Sequence, residues 1–232
     1  MKYHVLPLSL ALACIGANAA DLSIQVQNLT RGMVFAPLLV AAHSDASKAF
    51  TAGSAASANL QKMAEGGDIS GLVADMNAAG AVVVANPANG MLQPGASAMA
   101  TLVTGSSSNN TRLSVLGMMV PTNDGFVGLN AITIPTQPGT YSYDVNAYDA
   151  GTEANDEIRG SGAPGVPGMP VPAPLDAQVG KGGTGIPAVA EGFVHIHRGV
   201  IGDTDANGGK SDLDAGRHRW LNPVARVTVT VK

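Results

Sequence analysis

The stretch Tyr141-Ser142-Tyr143-Asp144-Val145-Asn146-Ala147-Tyr148-Asp149-Ala150-Gly151-Thr152-Glu153 decides how this chain reads. Tyr141, Tyr143, Val145 and Ala147 fall on alternate positions, the period of a half-buried strand. The run ends at Asp149, next to a glycine that lets the backbone bend sharply. Pro121-Thr122-Asn123-Asp124-Gly125-Phe126-Val127-Gly128-Leu129 repeats the arrangement after the apolar run Arg112 to Val120. Oxygen-rich loops of this kind, at the tip of a β-sandwich, hold hard cations such as Ca²⁺ in extracellular domains.

Outward from these loops, the chain predicts β-structure in consecutive runs. Ser23 to Thr30 alternates apolar and polar residues, and Phe35 to Ala42 is a short apolar run. Ser97 to Thr104 and Arg112 to Val120 flank the polar 105–110 loop, and Gly192 to Val200 and Val224 to Val231 complete the set. Ala81 to Ala85 reads as a buried strand. Helical spacing is confined to Ser54 to Ala64 and Ser70 to Ala79, separated by Gly66-Gly67. About eight strands and one or two short helices, with strands mostly following strands, predict a mostly β protein, an antiparallel β-sandwich. Residues 160–185 are half Pro and Gly and predict a surface loop. No internal repeat and no second domain are evident.

The first twenty residues have the make-up of an export signal. Lys2 gives the positive end, Val5 to Ile15 the apolar stretch, and Ala17-Asn18-Ala19 the small-residue cleavage site. We expect residues 1–20 to be removed and 21–232 to form one exported domain, periplasmic or secreted. No later segment supplies roughly 20 apolar residues, so no transmembrane segment is expected. The single cysteine, Cys14, belongs to the leader, which leaves the mature chain without disulfides. Without Lys2 there are twelve Lys and Arg against seventeen Asp and Glu, and no basic cluster. That excludes nucleic acid as a partner, because phosphate contacts need grouped cations.

Asp124 and Asp149 are a hairpin's distance apart in sequence, and Glu153 follows Asp149 by one short turn. Three carboxylates with backbone carbonyls and water suit a Ca²⁺ ion. Equally, each carboxylate suits the capping of its own turn, the commonest use of Asp in loops. The motifs themselves resemble the spondin N-terminal domain, a calcium-binding β-sandwich of secreted and matrix proteins. Its Pro-x-x-Asp-x-x-Val-Gly segment appears as Pro121, Asp124 and Val127-Gly128, and its Asp-Ala-Gly-Thr-Asp segment as Asp149 to Glu153. Asn28-Leu29-Thr30, Pro37 to His43, Gly66-Gly67-Asp68 and Asn222 to Arg226 extend the resemblance over residues 21–232. It implies a spondin-type sandwich with calcium on Asp124, Asp149 and Glu153. It also implies a binding or adhesion role toward an extracellular or cell-surface partner, protein or glycan. Two positions depart from the family: Gly125 stands for its usual tryptophan, and Glu153 for its second aspartate.

Two further groups carry donor atoms. Asp203, Asp205, Asn207, Ser211 and Asp214 have the spacing of an EF-hand loop with Gly208 at its sixth position, but no helical pattern flanks them, which favours a solvated acidic loop. His195 and His197, two apart on an expected strand, point to one face roughly 6.6 Å apart. With His43 or His218 they offer ligands for Zn²⁺ or Cu²⁺, or a hydrogen-bonded polar face. No Gly-x-Ser-x-Gly elbow and no phosphate-cradling loop occurs, so the chain is expected not to be an enzyme. The alternatives are a histidine-metal-dependent secreted enzyme and a purely structural envelope protein.

Overall fold

A computed structural model describes residues 21–105 and 109–232. The expected leader, residues 1–20, lies outside the described residues. Along the chain run β1 (Asp21–Asn28), β2 (Val34–Phe35), β3 (Leu39–His43), α1 (Ala58–Gly66), α2 (Ser70–Ala78) and β4 (Val82–Ala85). β5 (Ser97–Val103), β6 (Arg112–Val120), β7 (Gly125–Thr133) and β8 (Gly139–Asp149) follow. The last third holds β9 (Arg159–Gly160), β10 (Met169–Pro170), a 3₁₀ turn (Ala173–Gln178), β11 (His195–Ile196), α3 (Ala215–His218) and β12 (Ala225–Val231).

One antiparallel sheet dominates, in the order β4-β3-β6-β7-β8-β12-β1-β5, with β2 beside β6 and β11 beside β8. Its edge strands β4 and β5 come into contact, so the sheet curls on itself into a nearly closed sandwich. In β1, β5 and β12 every second residue is buried, and Ile24, Val26, Leu102, Val227 and Val229 fill the interior. β3 and β6 are buried on both faces, as is the first half of β7. Val40, Val115 and Val127 look inward; Leu39, Leu116, Met118 and Phe126 look outward onto Leu60 and Met63 of α1 and Leu72 and Met76 of α2. Each such buried side chain stabilises the fold by about 1.5–3 kcal/mol. Ser57 caps α1 by accepting from the Leu60 N–H, and Gly67, at φ 72°, ends it.

The expected run Phe35 to Ala42 divides into β2 and β3. Pro37 sits between them and has no N–H for the ladder. Of Gly192 to Val200, only His195–Ile196 pairs with β8. The Pro/Gly stretch is exposed at Pro164 to Pro167, yet it buries Met169, Leu175 and Val179 and pairs β9 with β10. It is therefore packed against the body along part of its length, not wholly a surface loop.

Candidate metal centre

The register of the sheet assembles the site. β7 pairs with β8 so that Gly125 lies opposite Asp149, and β11 pairs on the other side so that His195 lies opposite Asp149. Asp149 thus ends a central strand with Asp124 beside one neighbour and the two histidines on the other. On the opposite face of the sheet, the alternate residues Phe126 and Tyr148 pack with Phe50, edge and face, at centroid distances of 4.8–5.7 Å.

Asp124 is fully buried, 0% exposed. Its Oδ2 accepts from the N–H groups of Thr152 (2.7 Å) and Glu153 (3.1 Å) and from the Thr152 hydroxyl. Its Oδ1 has no hydrogen-bond partner among the described residues. Burial pushes the carboxyl up to about 7, with the neighbouring charge of Asp149 adding to the effect. Asp149 accepts from the Gly151 N–H at Oδ1 and from the Asn155 amide at Oδ2, both at 2.7 Å. Gly151 sits at φ 69°, and a Cβ there would strike the Phe193 carbonyl oxygen, so the loop needs glycine to close against the β11 segment.

The histidines converge on the same carboxylate. His195 Nε2 lies 3.7 Å from Asp149 Oδ1 and 3.7 Å from Glu191 Oε1; His197 Nε2 lies 3.9 Å from Asp149 Oδ2. These gaps exceed hydrogen-bond length, and neither Nε2 has a hydrogen-bond partner among the described residues. Asp149, Glu191 and His195 each offer a donor atom within 4.8 Å of the others. Burial drives the His197 imidazolium down to about 4, leaving the ring neutral. A side chain at position 125 would begin 2.8 Å from the Thr122 hydroxyl and 3.1 Å from the His197 ring. Glycine at 125 therefore leaves the room that the Thr122 hydroxyl and the His197 ring occupy.

Glu153 reaches this site by its backbone. Its own carboxylate accepts from the Asn123 amide and from the Gly168 N–H, tying the Pro/Gly stretch to the loop. His43 is spent between the Ser44 carbonyl and the Ser114 hydroxyl. His218 accepts from the Asp214 N–H. In the 203–214 loop, Asp203 accepts from the N–H groups of Asp205, Lys210 and Ser211, Asp205 from that of Asn207, and Asp214 caps α3. Those carboxylates serve as turn formers. Glu191 had no sequence signal, being a single acidic residue between Ala190 and Gly192.

Fold and site together define a β-sandwich with an antiparallel sheet and acidic loops gathered at one end. The Spondin_N family model matches residues 27–171, well over half of the chain, and the chain belongs to the spondin N-terminal domain family. No curated protein matches it. The matched stretch contains Asp124, Asp149 and Glu153; Glu191, His195 and His197 lie beyond it. Spondin domains are typically extracellular modules, and no helix among the described residues is long and apolar enough to cross a membrane.

Proposed function

We propose that the chain is an exported, cation-dependent binding module, in which Ca²⁺ held at Asp124 and Asp149 locks the 121–125 and 149–157 loops for a cell-surface or matrix partner. The observation that carries this reading is Asp124: a fully buried carboxylate with one oxygen unpartnered, next to a second buried carboxylate. Two such groups repel, and a hard divalent cation removes both the repulsion and the desolvation cost. Glu153, the family's third acidic position, acts as a strut to Asn123 and Gly168. The rim supports a docking role over a catalytic one. Val189, Phe193, Ile196 and Ile201 are large apolar side chains left exposed around the site, and Val189 and Ile201 line a cleft of about 530 Å³ with Asp149 and His197.

The test is binding to an immobilised matrix or glycan panel with Ca²⁺ and after EDTA. Retention that needs Ca²⁺ and is lost in Asp124→Asn supports the reading. Retention indifferent to both contradicts it.

A further inference from the structure

The donors beyond the family's matched stretch point to a different ion. His195 Nδ1 lies 3.0 Å from the Ile196 carbonyl, which can only accept, so Nδ1 carries a proton, and in the neutral ring Nε2 then presents a lone pair. That lone pair faces carboxylate oxygens of Asp149 and Glu191 at 3.7 Å each. With the ring neutral, three electron-rich groups are aimed at one point, and a cation bound between them removes their repulsion. Two donors on a tetrahedral ion at about 2.1 Å stand about 3.4 Å apart, close to these gaps. A backbone carbonyl behind the ring is also the usual support of a metal-binding histidine.

A second observation concerns His197, which is not one of the three donors but faces one of them. His197, 96% buried by its 4% exposure, accepts the Gly199 N–H at Nδ1, so its Nε2 carries the proton and is aimed without a partner at Asp149 Oδ2, 3.9 Å away. A buried imidazole N–H without a partner among the described residues thus faces the same carboxylate.

We propose that Asp149, Glu191 and His195 form a three-ligand site for a borderline divalent transition ion of the zinc class, with its remaining position open to the cleft. Calcium takes oxygen donors, whereas an imidazole nitrogen suits zinc and its neighbours. Asp149 and Glu191 line the cleft, which gives ion and ligand a way in. This inference rests on the reading that the Asp149 end is a cation site, and it adds a choice of ion set by residues outside the family's motif.

The experiment is calorimetric titration of the EDTA-stripped mature protein with Zn²⁺ and, separately, with Ca²⁺, repeated with Co²⁺ as a spectroscopic stand-in. The expected result is one Zn²⁺ per chain, bound more tightly than Ca²⁺, with a visible Co²⁺ band. His195→Ala and Glu191→Ala, both partly exposed and tolerable to the fold, are expected to lower zinc affinity by at least about tenfold to a hundredfold. The calcium-induced rise in thermal midpoint should survive in both. Zinc binding unchanged in those variants, or binding of Ca²⁺ alone, overturns the transition-ion site and leaves the calcium reading standing. Failure of every divalent ion to bind overturns both.

Discussion

Asp124 shows how one side chain carries the argument. Its Oδ2 collects three donors from the 152–153 turn while Oδ1 has none, an imbalance that a buried carboxylate does not sustain cheaply. Because burial holds this carboxyl up at about 7, it is largely protonated in mild acid, and a cation must displace that proton. Cation affinity is therefore expected to rise as pH increases through about 7, with protons released on binding; calorimetry in buffers of different ionisation enthalpy measures both. His218 carries an opposite lesson, structural instead of functional. Burial lowers it from 6.5 to about 4. Its neutral form is favoured by folding, so that stabilisation is complete above the unfolded value near 6.5 and is lost as pH falls toward 4. His218→Gln should flatten the acid limb of a stability-against-pH curve measured by urea denaturation over that window, and an unchanged slope would refute the assignment.

At the scale of elements, what the sequence disclosed depended on where each strand faces. β1, β8 and β12 were legible because one of their faces meets solvent, which imprints an alternation on the residues. β7 carries no such imprint: its first half is buried on both faces, and Gly125 and Gly128 make it read as a loop motif. Asp124 and Asp149 were legible because glycines flank them at strand ends. His195 and His197 were flagged by their spacing, although only two residues of their segment pair with the sheet. Glu191 was silent, since its place follows from the path of the chain over the 149–157 loop. That path depends on Gly151. Gly151→Ala meets the Phe193 carbonyl and an unfavourable φ together, and is expected to cost at least about 1 kcal/mol in urea denaturation and to weaken cation binding. Glu153 is a second such tie. Glu153→Ala removes the acceptor for Asn123 and Gly168, so limited proteolysis should newly cut within residues 160–172 while the calcium response persists. Resistance equal to wild type would show that the stretch is held by its other anchors, the β9–β10 pairing and buried Met169 and Leu175.

The whole molecule is a curled antiparallel sheet with helices packed outside β3 and β6, and its chemistry is concentrated at one end, where β7, β8 and β11 meet. Residues 21–232 contain no cysteine with which to cross-link that end, and an ion bound there would stabilise the native state by mass action because the unfolded chain holds no assembled site. The family match covers β2 to β10 with Asp124 and Asp149, while the Glu191–His197 segment and β12 lie beyond the matched residues. The most direct measurement is the thermal midpoint of the mature protein stripped with EDTA and then given Ca²⁺ at about 100 times its dissociation constant, where binding adds about 2.7 kcal/mol. For a domain of this size the account predicts a rise of roughly 5–11 °C, abolished by Asp124→Asn. An unchanged midpoint in the wild-type protein would contradict it and return Asp124 and Asp149 to the rank of turn formers.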